Sequence, residues 1–141
     1  MELMVVVGIL IVTTAIAVPV LKTASSTWAV RSAVAEITGV IHSTRYQAIS
    51  NGYQYQIIMN KAAATFQIQN NPTGTAWVNV GHTNPISGTG SQATINQDTT
   101  LLFTPGGMVQ APTGALNFNL TVKGTTKTIT VTNYGNITVT P

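Results

Sequence analysis

Residues 3–21 read Leu-Met-Val-Val-Val-Gly-Ile-Leu-Ile-Val-Thr-Thr-Ala-Ile-Ala-Val-Pro-Val-Leu, 19 positions without a formal charge. At 1.5 Å per residue a helix of that length covers about 28 Å, close to the hydrocarbon thickness of a bilayer. Apolar residues occupy every face, unlike an amphipathic surface helix, and the run is too long and uniform for the core helix of a small soluble domain. It predicts a membrane-inserted helix. Ala15-Ile16-Ala17 fits a secretory cleavage site, but such a signal opens on basic residues, and the charge ahead of this run is Glu2.

Beyond Lys22 the pattern becomes periodic. Val30, Val34, Ile37, Ile41 and Ala48 recur at helical spacing, with Arg31, Glu36, His42, Arg45 and Gln47 off the stripe. Asn51-Gly52 supplies a C-terminal stop suited to left-handed backbone. One helix over about residues 2–50 is expected. Pro19 has no N–H and crowds the carbonyl four residues back, which predicts a kink or melted turn near residues 15–19, and Gly8 is a second weak point.

From Tyr53 the period is two. Tyr53, Tyr55 and Ile57 alternate with glutamines, Asn60-Lys61 marks a turn, and Ala64, Phe66 and Ile68 alternate with polar residues, so a hairpin is predicted. Leu116, Phe118, Leu120 and Val122, then Lys123-Gly124, then Ile129 and Val131 predict a second hairpin, and residues 137–140 add a last strand to make a three-stranded meander. Residues 77–80, 94–96 and 101–104 are shorter strand candidates between loops at 70–75, 81–93 and 105–114. The expected fold class is α+β, a long N-terminal helix packed by its second half on an antiparallel β head. It divides into an apolar helix over 1–21, its amphipathic continuation over 22–51 and the head over 52–141.

Composition narrows the function. Of 141 residues 44% are hydrophobic and 6% charged, with six Lys/Arg against three Asp/Glu, so the net charge of +3 comes from few charges and makes no basic nucleic-acid surface. The 24 threonines and the Asn/Gln-rich loops give the head an uncharged polar exterior. Cysteine is absent, which excludes disulfides, thiolate metal sites and a cysteine nucleophile. His42 and His82 stand alone, Glu36 and Asp98 have no acidic neighbour in sequence, and no HExxH, GxSxG or EF-hand spacing occurs. Gly88-Thr-Gly90-Ser-Gln-Ala93 meets GxGxxA formally but lacks a preceding apolar strand and a following helix, so it reads as a loop. No enzyme, cofactor or metal site is expected. Lys123 and Lys127 flank one turn and are the candidate DNA contacts, too few for phosphate neutralisation, so a nucleic-acid partner is not expected.

A helix of such length exceeds what a head of this size can cover, so its N-terminal half must bury in lipid or against identical neighbours. Val5, Ile9, Val12, Ile16 and Val20 are the expected helix-packing positions. Glu2, a carboxylate at the edge of that run, is costly in hydrocarbon without a partner and is therefore a functional candidate.

Residues 1–10, Met-Glu-Leu-Met-Val-Val-Val-Gly-Ile-Leu, with Pro19 further along and an amphipathic helix and β head beyond, resemble type IV pilins and type II secretion pseudopilins. Ser43–Gly52 leading into a strand is similar to the H-type pseudopilins and FimT-like minor pilins. The two likenesses cover roughly residues 1–70. In the family the glutamate stands further from the processed end, so either this sequence starts inside the mature chain or its processing differs. The resemblance implies a bacterial protein held in the inner membrane, processed by a prepilin peptidase, methylated at its N-terminus and polymerised by an assembly platform into a helical homo-oligomeric filament. Glu2 would set subunit register by pairing with a neighbour's N-terminal amine, and Gly8 and Pro19 would let the helix melt on packing. The leading expectation is a structural subunit of an extracellular type IV pilus-like filament for adhesion, motility or contact. The alternatives are a minor H-type pseudopilin of a periplasmic secretion pseudopilus and a DNA-binding minor pilin.

Overall fold

The computed structural model describes residues 2–88 and 91–141, with the side chains of Glu2, Leu3, Ile9, residues 16–21 and Gly88 outside the described set. A single helix, α1 (Glu2–Asn51), opens the chain. It spans about 75 Å. It ends where Gly52, at φ +74°, turns into the left-handed region and donates its N–H to the Ala48 carbonyl at 3.1 Å. The helical assignment continues through Gly8 and Pro19, so the melted turn expected at 15–19 is not present in the isolated chain. Proline removes one hydrogen bond of the ladder, and the turns on either side keep theirs.

Burial along α1 begins at Ala29. Ala29, Ala33, Ile37, Ile41, Thr44 and Ala48 form the buried stripe, with Val30 beside it and Val34 half-buried. Of the stripe read from Val30, Val34, Ile37, Ile41 and Ala48, all but half-buried Val34 are buried, and Thr44 fills the gap between its last two members. Thr44 is fully buried and its hydroxyl has no hydrogen-bond partner. An orphaned buried hydroxyl is costly, so Thr44→Val should raise stability by about 1 kcal/mol, read as a higher unfolding midpoint; a lower midpoint would show that the hydroxyl is satisfied.

Among the described residues ten strands follow in two antiparallel sheets. The first contains β1 (Gln54–Asn60), β2 (Thr65–Asn71), β3 (Val78–Pro85), β6 (Thr99–Phe103) and β7 (Val109–Thr113), in the order β3-β2-β1-β6-β7. The second contains β4 (Ser87–Gly88), β5 (Ser91–Ile95), β8 (Asn117–Val122), β9 (Thr125–Val131) and β10 (Ile137–Thr140), in the order β10-β9-β8-β5-β4. Both hairpins read in the sequence are present, β1 with β2 through Ile57↔Ile68 and β8 with β9 through Leu120↔Lys127, as is the meander closed by Val139↔Ile129. The β8–β9 turn places Lys123 at φ +48° and Gly124 at φ +79°, the backbone of a tight two-residue hairpin.

Two loops are corrected. The stretch 81–93, including the GxGxxA segment, holds the end of β3, all of β4 and the start of β5, and 105–114 holds β7. Both β3 and β7 are edge strands. β3 carries Gly81 at φ +73°, pairs with β2 around a register shift and is exposed at nearly every position, while β7 contains Pro112, so neither displays the alternation that marks a half-buried strand.

Helix α1 packs against β1 and β6 of the first sheet and against β4, β8 and β9 of the second. Between the layers lie Ile57, Met59, Leu101, Phe103, Phe118, Leu120 and Ile129, all nearly solvent-free. Ile86, fully buried between β3 and β4, ties the sheets together: its N–H bonds the Ala64 carbonyl at 2.8 Å and its carbonyl receives the Ala93 N–H at 2.9 Å.

Candidate assembly surface

The head buries no described side chain of α1 before Ala29. Among the described residues from Met4 to Trp28 every side chain is exposed except half-buried Ser26, and Met4, Val5, Leu10, Ile11 and Val12 are 59–83% accessible. Val5 and Val12 of the expected packing positions are therefore free surface, while Ile9, Ile16, Val20, Glu2 and Pro19 have side chains outside the described set. Gly8 lies open, and a Cβ there would meet nothing within 4 Å. Among the described residues no helix is long and apolar enough to cross a membrane. The run read as a span counts Leu3, Ile9 and residues 16–21 among its apolar members. Thr13 and Thr14, the polar pair within it, both donate to the Leu10 carbonyl, at 3.0 and 2.6 Å, so neither hydroxyl needs an outside acceptor.

The residues weighed for catalysis stay apart. His42 and His82 are exposed, and Asp98 accepts the Lys61 N–H at 2.7 Å. Among the described residues no three His, Asp or Glu side chains converge on a metal-sized site.

Lys123 and Lys127 have different settings. Lys123 donates from Nζ to the Ser25 hydroxyl at 3.2 Å, fixing the β8–β9 turn against the helix. Lys127 lines a groove whose one wall is the helical row Thr27, Val30, Arg31, Val34, Ala35 and Thr38. The other wall is Thr125 and Lys127 of β9 with Val139 of the edge strand β10. The groove consists of two adjoining cavities of about 460 and 230 Å³ that share Val30, Arg31 and Lys127. Its length along α1 is about 16 Å. Sequence reading missed it, although Thr27, Arg31, Val34 and Thr38 recur at steps of 4, 3 and 4, a second helical row beside the buried one.

At the other end of the packed helix Arg45 holds both sheets. Its Nε donates to the Gly107 carbonyl at 2.9 Å, and its guanidinium lies so close over Gly135 that a Cβ there would sit 2.5 Å from Nε. The β6–β7 and β9–β10 turns are joined beside it by the Val109 N–H to Asn133 carbonyl bond at 2.8 Å.

No family model and no curated protein matches the chain. Among solved structures it is similar to the minor pseudopilin EpsH from the type 2 secretion system of Vibrio cholerae, at 13% identity and a TM-score of 0.58, over 80% of this chain and 96% of that one. A long N-terminal helix on antiparallel sheets, shared over that length, makes this a chain with the pseudopilin fold.

Proposed function

We propose that the protein is a structural subunit of a pilin-type filament of the bacterial envelope, held in the inner membrane by the apolar half of α1 and polymerised through it. The observation that carries the reading is the exposed apolar side chains Met4–Val7 and Leu10–Val12 on a helix whose fully buried residues begin at Ala29. Burying each such aliphatic side chain contributes about 1.5–3 kcal/mol, so lipid first and neighbouring helices afterwards are the surroundings that suit it. Glu2 sets the register of neighbouring subunits, and Gly8 and Pro19 are the places where α1 yields when helices pack. A peptidase that trims the N-terminus and an assembly platform are the partners this route requires.

Within that class, likeness to EpsH along most of both chains favours the position of a minor pseudopilin in a periplasmic filament. The uncharged, threonine-rich exterior favours the second reading, the major subunit of a surface filament. Copy number separates them. Mass spectrometry of filaments sheared from cells should find this chain at a small fraction of the main subunit; if it dominates the sheared material, the minor position fails and the surface-filament reading replaces it.

A further inference from the structure

We propose that the groove between α1 and β9–β10 is a seat for the headgroup phosphate of an anionic phospholipid, through which the base of the head docks on the membrane surface. Resting on the bilayer-held α1 of the filament reading, the seat adds an ionic contact to the apolar one. Four of the six cations gather at this end of the head. Lys22 and Arg31 lie about 14 Å apart along α1. Lys123 reaches the Ser25 hydroxyl between them at 3.2 Å, and Lys127 lines the groove with Arg31. No acid offsets the pair in the groove: Arg31 and Lys127 have no ion pair among the described residues, the Asp98 carboxylate accepts the Lys61 N–H, and Glu36 does not line the groove.

The other walls suit an amphipathic lipid. Thr27 and Thr125 bring hydroxyl donors beside the two cations, and Val30, Val34 and 39%-exposed Val139 make an apolar floor. Phosphate takes the donors, and the glycerol and first methylenes take the floor, which a nucleic acid would leave uncovered. Trp28, three residues before Arg31 and 67% exposed, has the apolar body and polar N–H that suit tryptophan to a bilayer interface. Cations and an exposed indole within three turns of the end of an apolar run are the composition of a surface that meets anionic lipid.

Reach permits the contact. Arg31 stands about 15 Å along α1 beyond position 21. Spanning helices tilt by up to about 40°, and Arg and Lys carry their charge on long stems, so a lean of α1 towards the groove side brings both cations to the level of the phosphates.

Because the chain has no cysteine, one introduced thiol reports without background. The full chain carrying Thr125→Cys is placed in nanodiscs of phosphatidylcholine, alone or mixed with an equal part of phosphatidylglycerol, and its rate of reaction with an uncharged maleimide is measured. The mixed discs should slow the reaction about fivefold or more, and either high salt or Arg31→Gln/Lys127→Gln should restore the neutral-disc rate. Thr73→Cys, in the β2–β3 loop next to the Gln54↔Asn71 pair at the end of the head where α1 stops, should react equally in both discs. Equal rates for Thr125→Cys in the two discs, with the chain co-eluting with both in high salt, overturn the phospholipid seat and leave the bilayer-held helix standing. A chain that co-elutes with neither disc in high salt overturns both. Protection that survives the two glutamines, or that extends to Thr73→Cys, overturns the seat as well. Equal protection in neutral discs by inorganic phosphate or duplex DNA would assign the cations to a soluble phosphate carrier and overturn the membrane contact.

Discussion

Glu2→Ala should abolish or sharply reduce entry of this chain into filaments while leaving the head folded. The substitution removes the acid at position 2 of the apolar helix and should not disturb a head whose contacts with α1 lie at Ser25 and beyond. A carboxylate near hydrocarbon costs about 2.5–3.5 kcal/mol or more without a partner, so a chain that gains a partner on assembly is drawn out of the bilayer by that difference. Alanine assembles without this bias and without register. Glu2→Gln separates charge from shape: it should fail as alanine does if attraction to a cation is the cause. The readout is the amount of this chain in sheared filaments by mass spectrometry, beside the unfolding midpoint of the same chain. Both variants in sheared filaments at the parental level would remove Glu2 from assembly altogether.

Gly114→Ala should be among the most damaging single substitutions in the head. At φ +74° this residue occupies backbone space that alanine enters at a cost of about 1–2 kcal/mol. Its Cβ would also lie 2.5 Å from the Asp98 carbonyl oxygen and 3.0 Å from the Thr99 Cα, both main chain of the β5–β6 connection and β6, which cannot swing aside as a side chain can. The combined loss should reach about 3 kcal/mol or more. Gly52→Ala is the matched control, with the same φ and nothing within 4 Å of the added carbon, and should lose only the backbone part. Equal losses in denaturant unfolding would show that close approach contributes nothing at position 114.

What could be read from sequence was whatever leaves a period. Ile37 and Ile41 announce the helix face, Leu120 and Ile129 the second hairpin, and Gly52 the helix end, because each repeats or terminates a pattern set by burial on one side. Thr44 escaped because a buried polar residue breaks the apolar pattern it belongs to. Ile86 and Val109 escaped because each is a lone inward residue within loop-like sequence, Ile86 between Pro85 and Ser87 and Val109 just after the Gly106-Gly107 turn. The groove was harder still. Arg31 and Lys127 are far apart in sequence, and only the packing of β9 beside α1 makes them neighbours. The expectation for Glu2 has a different source, a charge where the surrounding composition has none.

The arginine that joins the two turns has a mechanical consequence. In the proposed filament a load would enter each head through α1, which packs against both sheets. Arg45, near the far end of that face, is bonded to the Gly107 carbonyl of one sheet's turn and pressed on Gly135 of the other's. Tension is therefore shared between both sheets as shear along residues 29–48, with many contacts strained in parallel. Such a head would resist traction through both sheets together, as a rivet seated in two plates.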